Sequence, residues 1–203
     1  MAVKLDDTYQ QAKKQFDIRG GFARSDDLKK VGFSSSAIAR LVEQGSLIRV
    51  KRGLYRWHKI DASTSLVEAS RIVPGGVVCL LSALSVHELS TKTPREVHLA
   101  IPRKARRPLL PDYPPIRLAY FSDAQYQLGI MTVMFDNVNL SVYDPEKTLC
   151  DCARYRNKIG QDIFREALAE YLKRPVRNID KLLDYAKKLR VWSVVHPMAA
   201  ALA

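Results

Sequence analysis

The chain has no long apolar run. Its longest, Val77 to Leu84, is interrupted by Ser82 and is far shorter than the roughly 20 apolar residues that cross a bilayer. The opening residues, Met-Ala-Val-Lys-Leu-Asp-Asp, lack the apolar core of a secretory signal, so a cytoplasmic protein with no membrane partner is expected. Cysteine is scarce: Cys79, Cys150 and Cys152 are too few for a disulfide framework and fit free thiols in a reducing compartment. Cys150-Asp151-Cys152 lacks the second ligand pair of a zinc site, and two positions apart on a helix its thiols diverge by about 200°. The four histidines, His58, His87, His98 and His196, show neither HxH nor HExxH spacing, and no Walker-type phosphate loop occurs. No metal, no cofactor and no catalytic residue is expected, and the chain is read as a non-enzyme.

Acidic residues are also in short supply. Lys and Arg number 33 against 21 Asp and Glu, a net charge of +12, which favours an acidic polymer as partner. The excess is denser at the start: residues 1–60 carry 13 basic and 6 acidic side chains, the remainder 20 and 15. The hydrophobic fraction of 47% is that of a folded protein.

The densest pattern runs from Phe22 to Trp57. Ser25 followed by Asp26 and Asp27 is a helix start, with Ser25 as the expected N-cap and the carboxylates at the positive end of the dipole. Gly32 permits a left-handed stop. A second helix opens at Ser34, Ser35 or Ser36, carries Ile38, Leu41 and Val42 on one stripe, and ends at Gly45. Leu47-Ile48-Arg49-Val50 and Leu54-Tyr55-Arg56-Trp57 are strand-like runs around the basic turn Lys51-Arg52-Gly53. Helix, turn, helix, hairpin is the order of a winged helix-turn-helix, and Tyr9 to Phe16 fits its first helix.

With Ile38, Leu41 and Val42 inward, Ser36, Arg40 and Gln44 fall at spacings of four along the opposite edge. Arginine pairs with guanine, glutamine with adenine, and serine with either bases or phosphate. Ser34 and Ser35 would sit by phosphate at the helix N-terminus. Arg49, Lys51, Arg52 and Arg56 of the hairpin are expected on backbone phosphates or in the minor groove. A solvated basic hairpin on a small helical module would show the same residues, and the local charge excess tips the reading toward double-stranded DNA.

Residues 61–65, Asp-Ala-Ser-Thr-Ser, read as a linker between a winged helix-turn-helix domain over 1–60 and a larger domain over 66–203. In the latter, Leu66 to Ile72 reads as a helix stopped at Pro74-Gly75-Gly76, and Val77 to Glu88 as a helix that could begin as a strand. Val97–Ile101, Ile116–Phe121, Gly129–Phe135 and Val138–Val142 alternate as strands, with a turn at Asp136-Asn137. A helix starts at Asp144-Pro145 and runs through Tyr155, and from Asp162 onward the pattern is helical. The fold class is therefore α+β, a small sheet followed by C-terminal helices.

Three segments, taken in order, resemble the AbiEi-type antitoxins, transcriptional regulators of bacterial toxin–antitoxin and phage-defence systems. They are GFSSSAIARLVEQG with GSLIRVKRGLYRW (Gly32 to Trp57), SALSVHELSTKTPREVHLAIPRK (Ser82 to Lys104) and VYDPEKTLCDCARYRNKIGQDIFREALAEYL (Val142 to Leu172). The resemblance implies a repressor that binds repeats upstream of its own operon. It also implies a nucleotidyltransferase-like toxin as partner, without direct contact being required, and a C-terminal domain that supports antitoxicity and cooperative repression. Carried onto this chain, the recognition helix is Ser34 to Gln44 and the wing Lys51 to Gly53.

Two further groups have residue types suited to chemistry or binding. Arg103, Lys104, Arg106 and Arg107 form a basic run inside a proline-rich stretch, a second nucleic-acid or partner patch or else a solvated loop. Asp144, Glu146, Lys147 and Asp151 have the composition of a nuclease cluster. Glu146 and Lys147 are adjacent at a helix start, however, so their side chains diverge, and capping and ion pairing explain them better. Reading repeated operator sites calls for two recognition helices, so a homodimer or cooperative assembly on DNA is expected. The rival readings are a protein-interaction module that neutralises a toxin by contact, and a nuclease or nucleotidyltransferase in the C-terminal domain.

Overall fold

The computed structural model describes residues 2–58, 65–135 and 138–202, with side chains from Tyr9 to Ala201. The expected linker falls outside the described residues except for Ser65, and so does the expected turn at 136–137. Among the described residues no helix is long and apolar enough to cross a membrane. The chain is mixed α and β, with a helix-and-sheet region at the N-terminus.

That region runs α1 (Ala2–Asp17), β1 (Phe22–Arg24), α2 (Ser25–Lys30), α3 (Ser35–Glu43), β2 (Leu47–Lys51) and β3 (Leu54–Trp57). The two helices and the hairpin lie where the sequence put them; β1, only three residues long, was not expected. It pairs with β3 to give an antiparallel sheet of order β1-β3-β2. That pairing displaces the expected cap of α2. Ser25 spends its amide on the Gly53 carbonyl at 3.0 Å and is already helical, so Arg24 becomes the N-cap and makes no side-chain capping bond.

α3 is closed at both ends. Ser34 accepts a hydrogen bond from the Ala37 amide, and the Ser46 and Gly45 amides return to the Leu41 and Val42 carbonyls with Gly45 at φ +72°. This pair of hydrogen bonds across a left-handed glycine is the Schellman stop. Ile38 and Leu41 are buried with Phe16, Leu28, Phe33, Leu47 and Trp57.

The second region runs α4 (Ser65–Ile72), β4 (Val77–Val78), α5 (Leu80–Val86), β5 (Val97–Pro102), β6 (Ile116–Phe121), α6 (Asp123–Gln127), β7 (Ile130–Phe135), β8 (Val138–Tyr143), α7 (Pro145–Ile159), α8 (Gln161–Lys173), α9 (Ile179–Lys188) and α10 (Trp192–Leu202). Its mixed sheet has the order β6-β5-β4-β8-β7. The stretch expected mainly as a helix from Val77 divides instead. Two residues pair with β5 and β8, Cys79 caps, and α5 begins at Leu80 in a left-handed conformation (φ +47°).

Both faces of this sheet are covered. Val77, Ala100, Ala119, Phe121 and Tyr143 face the helical layer of α7 to α10. The alternate residues Val78, Leu99, Ile101, Leu140 and Val142 face a second core that includes α4 and, from the N-terminal sheet, Phe22 and Leu54. Strand period two explains the sharing. Along β3, Tyr55 and Trp57 turn to the N-terminal core around Ile38 and Leu41, while Leu54 turns to the core shared with α4.

Candidate nucleic-acid interface

The face of α3 opposite Ile38 and Leu41 is solvent-exposed throughout: Ser34, Ser35, Ser36, Arg40 and Gln44 all lie in water. The Ser34 and Ser36 hydroxyls are 2.8 Å apart, so the capping serine is itself oriented by its neighbour. Among the described residues Arg40 has no carboxylate within ion-pair distance. An arginine without a carboxylate beside it, on a helix anchored from behind, has a full set of donors available to an acceptor in a groove.

The four hairpin cations expected to join this ridge divide two and two. Arg49 and Arg52 are exposed, the latter in the two-residue turn. Lys51 and Arg56 turn the other way. A bulge between Arg49 and Lys51 shifts the pairing so that Lys51 opposes Leu54, on the face that meets the second region. There its ammonium donates to the Ile72 carbonyl at the end of α4, at 2.5 Å. Burial, reinforced by Arg24, lowers the Lys51 pKa. Arg56 lies 4.0 Å from Glu68, which is 4% exposed. Burial raises the Glu68 carboxyl against the pull of Arg56. In this conformation either cation reaches a phosphate only by giving up its contact with α4. Gly53 holds the turn against α2, with a positive φ and the Ser25 hydroxyl 3.2 Å from where a Cβ would stand.

Arg103, Lys104, Arg106 and Arg107 are all exposed in the segment after β5. What the fold adds to them carries no signal in the sequence. Arg103 lines a cavity of about 550 Å³ together with Arg154 of α7 and Lys188 and Arg190 at the end of α9. These cations come from distant parts of the chain, and only the packing of α7, α9 and β5 brings them together.

The α7 charges are internal. Asp144 caps the helix, accepting from the Lys147 amide at 2.8 Å. Lys147 and Asp151, both wholly buried, pair at 2.5 Å, with the ammonium over the Tyr143 and Phe121 rings at 4.0 and 4.7 Å. Glu146 points elsewhere, to the Tyr171 hydroxyl and to Lys181, which also reaches Asp144. Burial pushes the Asp151 carboxyl up to about 6, opposed by Lys147. The side chains diverge from adjacent positions, as capping and ion pairing require, and do not converge on open space. Among the described residues no three His, Cys, Asp or Glu side chains gather as metal ligands would. The three cysteines are buried and unpaired, and burial raises each thiol pKa, away from nucleophilic use.

Residues 11–57 match the family model described as transcriptional regulator, AbiEi antitoxin. No curated protein matches the chain. The matched stretch begins within α1 and ends with β3, so it takes in the whole N-terminal sheet and the exposed ridge of α3. Over those residues the chain is similar to the AbiEi antitoxin transcriptional regulators.

Proposed function

We propose that this protein is a DNA-binding transcriptional repressor, the antitoxin of a toxin–antitoxin operon, and that its first 60 residues act as a winged helix-turn-helix. The observation that carries the reading is the α3 ridge. Ser36, Arg40 and Gln44 stand in water on a helix whose other side is fixed by Ile38 and Leu41 and whose ends are both capped. A rigid helix with polar side chains facing out is what readout of a major groove requires. Ser36, Arg40 and Gln44 read base edges; Ser34, Ser35, Arg49 and Arg52 hold phosphate. Lys51 and Arg56 hold the hairpin to α4, and so set the angle at which α3 is presented.

The protein binds repeats upstream of its own operon as a dimer or as a cooperative array. It counteracts a nucleotidyltransferase-like toxin, carries no catalysis of its own, and acts in the cytoplasm. The test is fluorescence anisotropy with the DNA upstream of the gene against a scrambled duplex, across a salt series. Preference for the upstream duplex that persists at physiological salt supports the reading. Equal, weak and steeply salt-dependent binding to both reduces the basic charge to nonspecific attraction and overturns it.

A further inference from the structure

The cavity beside Arg103 has the composition of an anion site. Four of its lining residues, Arg103, Arg154, Lys188 and Arg190, are cationic, and none is acidic. Among the described residues the three arginines have no carboxylate within ion-pair distance, and Lys188 meets only Asp184, at the exposed surface. The Arg154 guanidinium is steered by a bond from one of its nitrogens to the Leu189 carbonyl at 3.1 Å, which leaves its other donors available. Arg190 is held at φ +57°, a conformation uncommon for a side-chain-bearing residue.

A second observation separates this place from a merely basic surface. Gln125 of α6 lines the same cavity, is 9% exposed, and its side-chain Nε2 has no hydrogen-bond partner. Buried donors are almost always paired, so an unpaired amide nitrogen on a residue that lines the cavity points to an acceptor that a small turn of the side chain would meet there. Leu128 adds an apolar surface beside it.

The volume of about 550 Å³ falls within the range of small-molecule sites, roughly 300–1,000 Å³. A DNA duplex presents its phosphates on a convex cylinder, which meets exposed arginines at a rim but not a buried amide. We propose that this cavity binds a small phosphate ester of mononucleotide size, with Arg103, Arg154, Lys188 and Arg190 on the phosphate and Gln125 and Leu128 against the uncharged part.

The experiment is isothermal titration calorimetry on the full chain after nuclease treatment, with AMP, UMP and inorganic pyrophosphate as probes and adenosine as the uncharged control. At least one of the two mononucleotides should bind saturably, one per chain, with adenosine silent. The double variant Arg103→Gln/Arg190→Gln should weaken it at least tenfold. Arg107→Gln, which removes a cation of the same run outside the cavity, should leave it within twofold. Gln125→Leu should weaken the mononucleotide more than pyrophosphate, and circular dichroism checks that each variant is folded. Three results would overturn the proposal: neither mononucleotide binding at millimolar concentration, Arg107→Gln weakening binding as much as the double variant, or a duplex displacing the mononucleotide while losing its own affinity in parallel across the variants. The last would make the cavity part of a DNA contact.

Discussion

α3 and α7 begin alike and end as opposites. Each opens on a short polar cap, Ser34 or Asp144, that accepts from the amide three residues on. Beyond the cap, the charge of α3 stands in water, whereas Lys147 and Asp151 of α7 are wholly enclosed and paired. A charge taken out of water must find its counter-charge inside the fold, so the α7 cluster is committed to structure. A charge left in water without a partner is committed to nothing until a ligand arrives. The difference separates two sets of ionic residues that, as letters, look equally suited to chemistry.

The largest expected effect tests the buried side. Lys147→Ala strands Asp151 in the core and should cost about 3–5 kcal/mol in urea denaturation, whereas Lys147→Met with Asp151→Leu should recover most of the loss. A loss below about 1 kcal/mol for the single variant, the level of a surface pair, would erase the contrast between the helices. On the exposed side, Arg40→Ala should leave stability nearly unchanged and cost roughly 1–3 kcal/mol of discrimination at one base position, read by anisotropy over a panel of single-base operator variants. Unchanged operator preference would mean that the reading face is misplaced.

The hairpin gives a sharper comparison within three residues. Arg52→Ala should weaken binding to every duplex and lower the salt slope by about one, while Lys51→Met should lower the melting temperature. If Lys51→Met instead flattens the salt slope as Arg52→Ala does, Lys51 leaves Ile72 when DNA binds.

The smallest effect is with pH. Burial lowers the pKa of His87 and of His98 below the ordinary imidazole value of 6.5; the bond to the Tyr143 carbonyl opposes the shift in His87, and Arg117 adds to it in His98. Below 6.5 the unfolded chain takes up protons before the folded one does. The stability these groups contribute is therefore whole above 6.5 and lost as pH falls through the lowered values. The urea midpoint should drop on acidification in that window, and His98→Leu should flatten part of the drop; a pH profile identical to wild type would assign it elsewhere.

Much of the fold was legible because the residues that start and stop its longer elements are specific. Ser34 and Gly45 bracket α3, Asp144-Pro145 opens α7, and alternation marks β5, β6 and β8. The short pieces were not legible. β1 and β4 have three and two residues, too few for a period, and they exist because a neighbouring strand supplies their partners. The exposed ridge of α3 follows from its apolar stripe. The inward turn of Lys51 does not, because it depends on a bulge that a letter sequence does not mark. The same holds for Arg103, Arg154 and Arg190, whose meeting is a property of packing alone.

The double-faced N-terminal sheet has a practical consequence. Phe22 and Leu54 complete a core whose other buried members lie beyond residue 65, so the seam between the N-terminal region and the remainder is greasy. A fragment cut after β3 would carry that seam uncovered and tend to clump. Producing the N-terminal region alone would therefore require repainting Phe22 and Leu54 with polar side chains before the scissors are used.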